Sequence, residues 1–227
     1  MKFSQLKELG KMFQPRTLIK SATEPLGEFE FRPTTFLSHP LLQSVYNLAE
    51  PKISVNYERE RIFFVDGGHI ALDWSPRTHN QAAPPILFIM HGLTGGSEMN
   101  YIRALTEEAM KEGYQCVCLN SRGINAEMTS PVPFTAIEHT ELNAAIERVQ
   151  MHFPISPIYM VGTSFGGNYL IRYLLRNRLH NIKGLIALAP PFDVKKVVDD
   201  MPPIYQRFFV KRYIWETVEK HPEMKYW

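Results

Sequence analysis

Five residues, Gly162-Thr163-Ser164-Phe165-Gly166, have the types and spacing that can turn a serine hydroxyl into an attacking group. The G-x-S-x-G pattern is short and weak when it stands alone. Here an apolar run, Ile158 to Val161, precedes it and a helix-patterned run, Gly166 to Asn177, follows it. A sharp strand-to-helix turn of that kind holds the serine above a sheet. The glycines relieve crowding, and the helix N-terminus favours developing negative charge. Ser164 would attack a carbonyl carbon, and the backbone N–H of Phe165 would be one donor to the oxyanion. A second stretch, His91-Gly92-Leu93-Thr94-Gly95-Gly96, follows another apolar run, Ile86 to Met90. The second oxyanion donor is expected there, as the backbone N–H of Leu93. His91, Gly92 and Thr94 are expected to border the substrate, with His91 shaping the loop through hydrogen bonds.

The elements that must position these residues alternate in type. Ile53 to Val65 contains two β-like stretches, Asp66-Gly67-Gly68 reads as a tight turn, and His69 to Trp74 alternates like a returning strand. Continuously apolar Ile86 to Met90 has the texture of a central parallel strand. A helix over Tyr101 to Glu112, a strand over Tyr114 to Asn120 and a helix over Thr135 to His152 follow. The last rests on Ile137, Leu142, Ala145, Ile146 and Val149 at helical spacing. Strands at Pro157 to Val161 and Ile182 to Ala189 flank the helix after the serine. This α/β order predicts a mostly parallel sheet with helices on both faces. Residues 1–52 read as an N-terminal extension broken by prolines, with short helical pieces at Phe3 to Met12 and Leu41 to Leu48. Residues 53–192 read as the core, and 193–227 as a charged, aromatic helical tail.

Several of these segments together resemble the AB hydrolase 4 branch of the α/β-hydrolase superfamily. They are Arg61 to Trp74, His91 to Gly96, Asn120-Ser121-Arg122-Gly123, Gly162 to Gly167, and Ala189-Pro190-Pro191-Phe192-Asp193. The similarity runs from about Phe31 to about Arg212. It implies a serine hydrolase of carboxylic esters, acylglycerols and phospholipids among them, with Ser164 as nucleophile and Leu93 and Phe165 as oxyanion donors. It also implies that 193–227 begins a helical lid. One local departure is Ile124-Asn125-Ala126, where the family continues with glycines, so that loop is expected to be shaped differently.

In hydrolases of this kind the triad runs in the order Ser, Asp or Glu, then His. The expected Asp and His would follow two further strand-helix units, on the order of 30 residues each, which this sequence lacks. The fold is therefore expected without its last strands, and Gly184 to Leu188 is expected at an open sheet edge that a protein partner could cover. Of the later histidines, His180 and His221, neither is expected to be the base; Asp193, Asp199 and Asp200 read as surface carboxylates. Three readings follow: an ester hydrolase completed by residues elsewhere, a catalytically inactive subunit with a binding or structural role, and an enzyme using an unconventional base such as His221.

Composition excludes other classes. The 227 residues are 44% hydrophobic and 21% charged with a net charge of +2, which makes no case for nucleic acid as partner. No apolar run is long enough to span a bilayer. Cys116 and Cys118, two apart on one strand, read as small buried residues in a reducing compartment, with no metal or cofactor implied. The expected location is the cytoplasm. The basic first 20 residues keep a mitochondrial reading open, and Arg207 to Arg212 a peripheral contact with lipid.

Overall fold

The computed structural model describes residues 52–76, 83–135, 137–177 and 181–221. The expected helices near Phe3 and Leu41, and His180, lie outside the described residues. Residues from Ser54 onward form one compact unit around a six-stranded sheet. The strands are β1 (Glu58–Phe63), β2 (His69–Trp74), β3 (Ile86–Met90), β4 (Gln115–Asn120), β5 (Ile158–Thr163) and β6 (Ile182–Leu188). The helices are α1 (Asn100–Lys111), α2 (Thr140–His152), α3 (Phe165–Arg176), α4 (Val194–Asp199) and α5 (Pro203–Ile214), the last running into a π-helical turn at Trp215–Glu219.

The order across the sheet is β1-β2-β4-β3-β5-β6. β1, β2 and β4 pair antiparallel, while β4, β3, β5 and β6 run parallel. Helical crossovers explain the parallel half, because each returning strand needs a long connection. Every residue of β3 and β4 is buried, as the unbroken apolar texture of β3 requires in a sheet covered on both faces, and the polar ends of β4, Gln115 and Asn120, are hydrogen-bonded there. Ile86, Phe88 and Met90 point to one face, where Leu142, Ala145, Ile146 and Val149 of α2 and Tyr169, Leu170 and Tyr173 of α3 cover them. Leu87 and Ile89 point to the other, against Ile102 of α1 with Cys116 and Cys118. Both cysteines are free and buried, and burial pushes the Cys116 thiol up to about 12.

Two elements start or stop where the sequence pattern does not place them. β1 begins only at Glu58, although 53–57 alternates between exposed and half-buried residues like a strand. Its ladder opens with Glu58 opposite Trp74, the last residue of β2, so among the described residues the β1–β2 pairing does not extend back over 53–57. At the other end Phe64 closes the turn, with Gly67 N–H donating to Phe64 O at 3.0 Å and Phe64 N–H to Gly68 O at 2.8 Å. Gly67 sits there at φ +78, a conformation that costs a residue without Cβ little.

α2 begins at Thr140 rather than Thr135, and Ile137 is exposed instead of joining the buried stripe. Tertiary contacts take the carbonyls an earlier start would need: Tyr169 Oη donates to Glu138 O at 2.8 Å, and Arg172 donates to Ile137 O at 3.5 Å. The strand β6 ends the sheet and, among the described residues, pairs only with β5. No helix of the described residues is long and apolar enough to cross a membrane.

Candidate active site

β3 is the strand at which the chain changes direction across the sheet, since β4 lies on one side of it and β5 on the other. In open α/β sheets the crevice beyond the carboxyl ends at such a point is where ligands bind. Met90 and Gly162 are register partners, so the loops leaving β3 and β5 emerge side by side. One is His91–Ser97 and the other begins at Ser164.

Ser164 stands between β5 and α3 as the N-cap of α3, with φ +52 and ψ −121. A positive φ on a residue with a Cβ is strained and is retained only where the surroundings over-determine it. Those surroundings are visible. Ser164 N–H donates to Leu188 O at the end of β6 at 2.7 Å, and Ser164 O accepts from Gly167 N–H at 3.0 Å. The two elbow glycines are required by close approach. A Cβ on Gly166 would lie 2.3 Å from the His91 carbonyl oxygen, and one on Gly162 would lie 2.7 Å from the Gly166 backbone. The Ser164 side chain is left exposed.

Phe165 opens α3, where the first N–H groups have no partner within the helix and the macrodipole is positive. Neither its N–H nor that of Leu93 meets an acceptor among the described residues. Leu93 and Thr94 are half-buried in the facing loop, as is Gly92. A Cβ built on Gly92 would stand 3.8 Å from Ser164 Cβ.

His91 differs from the residues expected to border substrate. Its side chain is buried, and both ring nitrogens are engaged inside the loop. Nδ1 lies 2.5 Å from Gly92 O, and Nε2 accepts from Ser121 N–H at 3.3 Å. An N–H pointing at Nε2 fixes the neutral tautomer, with the proton on Nδ1. Burial drives the same outcome, lowering its pKa from 6.5 to about 4, with the Gly92 carbonyl opposing in part. The bond to Gly92 O has a geometric consequence. That carbonyl and the Leu93 N–H belong to one planar trans peptide, so holding the first turns the second away from His91.

The far end of the loop is held by a network that sequence reasoning did not assign. Asp73 of β2 is 2% exposed and accepts a two-pronged pair from Arg59, both at 2.7 Å. It also accepts from Asn120 Nδ2 at 2.9 Å and from Ser97 Oγ. Ser97 N–H donates to Asn120 Oδ1 at 2.8 Å, and Asn125 Nδ2 donates to Ser97 Oγ at 2.8 Å. Asn125 therefore gives the departing loop after Arg122-Gly123 its own shape: φ +49, with its carbonyl accepting from Arg59 at 2.7 Å. A signal was present in the sequence, since Asp73 is an acid inside an otherwise buried strand and must be paired there. Its partners lie 14 to 47 residues away in the chain and carry no local mark.

Among the described residues no histidine nitrogen is hydrogen-bonded to Ser164. His221 is buried against the loop after β4, its Nδ1 accepting from Met128 N–H and its Nε2 beside Gly123 O, both at 3.3 Å. His69 bonds Thr129 at 3.0 Å, and His152 meets Glu60 at 3.1 Å. His139 packs between Tyr169 and Tyr173. Asp193 caps α4 by accepting from Lys196 N–H at 2.9 Å, and Asp199 pairs with Lys195. Among the described residues no group of three or more His, Cys, Asp or Glu is placed to hold a metal ion.

Comparison with known proteins agrees with this architecture. The chain is 33% identical over 150 residues to the embryogenesis-associated protein EMB8 of Picea glauca, covering 62% of this chain and 33% of that protein. It is 32% identical over 129 residues to the phospholipase ABHD3 of Mus musculus, covering 54% and 31%. Its similarity thus spans about a third of the length of these relatives. Among solved structures, an esterase of Pyrococcus furiosus aligns with a TM-score of 0.53 at 21% identity, covering 73% of this chain and 63% of that one. Est1E from Butyrivibrio proteoclasticus aligns at 0.54 and 24%, covering 63% and 57%. These two show likeness of fold. A family model described as the alpha/beta hydrolase fold matches residues 85–221, which contain both loops of the crevice, and on that match the chain belongs to the α/β-hydrolase fold family.

Proposed function

We propose that this chain carries the nucleophile and oxyanion hole of a serine hydrolase acting on carboxylic esters. The observation that carries the reading is the strained Ser164, exposed at the strand-to-helix elbow directly beside Gly92. In this reading Ser164 Oγ attacks the ester carbonyl carbon. The carbonyl oxygen gains charge, and the Leu93 and Phe165 N–H groups receive it. Neither donor has another acceptor to give up, so little reorganisation is needed as the charge develops. The similarity to a phospholipase, and to a monoacylglycerol lipase of Saccharomyces cerevisiae at 26% identity over 166 residues, supports lipid esters as the substrate class. The helical segment 193–221 is read as the start of a lid over the crevice.

Ser164 needs a base to become a nucleophile near neutral pH. His91 does not serve, because its ring is buried, neutral and already bonded at both nitrogens. Without a base, an oxyanion hole alone retains roughly 10³ to 10⁴-fold over water, which sets a floor for the native chain. The test is labelling of purified protein by a fluorophosphonate probe, in the native chain and in Ser164→Ala. Labelling that disappears with the hydroxyl supports an activated serine. A well-folded native chain that takes no label refutes it and favours a binding role, with the edge strand β6 as the surface to probe.

A further inference from the structure

The hydroxyl of Tyr101 lies in the same crevice, against the loop that leaves β3. Tyr101 is the second residue of α1, which starts at Asn100, separated by two residues from the His91–Ser97 loop. Its Oη accepts from Gly92 N–H at 3.4 Å, a long bond that leaves the hydroxyl hydrogen pointing elsewhere. No acceptor for that hydrogen exists among the described residues. A Cβ built on Gly92 would stand 4.0 Å from Tyr101 Oη and 3.8 Å from Ser164 Cβ. One built on Gly95 would stand 3.7 Å from the same hydroxyl. The hydroxyl and the serine thus border one small space, kept open by the missing side chain of Gly92. Solvent reaches that space, since Ser164 is exposed and Tyr101 is 41% exposed.

We infer that Tyr101 is a further catalytic residue, whose O–H donates a hydrogen bond to the substrate oxygen that becomes negative as Ser164 attacks. This rests on the serine hydrolase reading above. Tyr101 transfers no proton; the proton that Ser164 loses on attack goes to the base that activates it. The phenol remains an O–H throughout and supplies a third donor beside the two backbone N–H groups. Its chemistry suits that task, because desolvation holds its pKa up at about 12, with the Gly92 N–H opposing in part, and the group stays protonated at any working pH. Its partial exposure makes the bond weaker than one in a dry site, so the loss on removal sits below the usual range for a buried oxyanion donor.

The same geometry makes Gly92 a steric probe. Its φ is not positive, and every contact an added methyl would make is at 3.7 Å or more, so Gly92→Ala should fold normally. The methyl would nonetheless fill the space between Tyr101 and Ser164.

The experiment compares second-order rates of fluorophosphonate labelling in the native chain, Tyr101→Phe, Gly92→Ala and Ser164→Ala, with thermal melts of each. Hydrolysis of p-nitrophenyl butyrate is followed alongside. Tyr101→Phe should label about 10 to 100-fold more slowly and lose kcat with KM little changed, at an unchanged melting temperature. Gly92→Ala should also label slowly while folding normally. Native-rate labelling of Tyr101→Phe, with Ser164→Ala silent, would overturn the role of Tyr101 and leave the serine reading standing. A rise in KM alone would overturn it too, by placing the hydroxyl on the ground state. An unlabelled native chain would overturn both.

Discussion

Acidification offers a direct test of how the loop carrying Leu93 is held, because His91 fixes it only while neutral. In the folded protein burial depresses the His91 pKa from 6.5 to about 4, whereas the unfolded chain titrates near the ordinary value. Between those values the unfolded state binds the extra proton and the folded state does not, so stability is complete above pH 6.5 and falls as pH drops towards 4. Integrating that difference from pH 7 to pH 5 gives a loss of about 2 kcal/mol from this residue alone. The structural reason is that protonation would set a new N–H at Nε2 against the Ser121 N–H that points at it. Urea denaturation at pH 7 and pH 5 on the native protein and on His91→Asn isolates the term. Asparagine keeps a donor near Nδ1, loses the acceptor for Ser121 and cannot titrate. The variant should be less stable at pH 7 by about 1 to 3 kcal/mol, the usual cost of a buried donor left unpaired. Its loss on going to pH 5 should be smaller than the native loss by about 2 kcal/mol. Other groups that respond to acid, including Glu60, Asp66, His69 and His139, are present in both proteins and cancel in the difference. Parallel losses in the two proteins would refute the assignment of a buried neutral His91.

Two further perturbations report on the frame of the site. Gly166→Ala places a methyl 2.3 Å from the His91 carbonyl oxygen and 2.7 Å from that of Met90, so α3 must move off β3. The expected loss is about 3 kcal/mol or failure to fold, whereas Gly184→Ala, at 3.5 Å from Tyr159, should stay within about 0.5 kcal/mol of native in the same denaturation series. Asp73→Ala removes the acceptor shared by Arg59, Ser97 and Asn120 and should cost about 3 kcal/mol, with faster amide exchange over residues 92–97 by mass spectrometry. Unchanged exchange in that peptide would show that the network does not hold the loop.

The parts of the fold and of the site that were legible in the sequence share a physical basis: they are local. Ser164, Phe165 and the flanking glycines form a strand-turn-helix unit whose requirements all fall within a few residues, and fully buried β3 announces itself as an unbroken apolar run. Of the β-like residues from Ile53 to Val65 only Glu58–Phe63 form a strand, because an extended chain also needs a neighbour for its ladder, and among the described residues β2 ends at Trp74. The start of α2 was misplaced for a related reason. Ile137 has helical spacing, but Tyr169 and Arg172, more than 30 residues on, hold the carbonyls that an earlier start would use. The same distinction runs through the site. Its two candidate N–H donors lie in motifs that can be read off the chain, whereas what aims them cannot. Leu93 is turned by the imidazole of His91, which Ser121 in turn anchors from 30 residues away. Its loop is pinned at Ser97 by Asp73 and Asn120, each more than 20 residues distant. A short motif therefore identifies the groups that could stabilise an oxyanion, while their alignment depends on buried polar contacts between strands that only the folded sheet brings together. In the proposed site Asp73 and Asn120 would act through that alignment, so amide exchange in the loop tests them more directly than stability does.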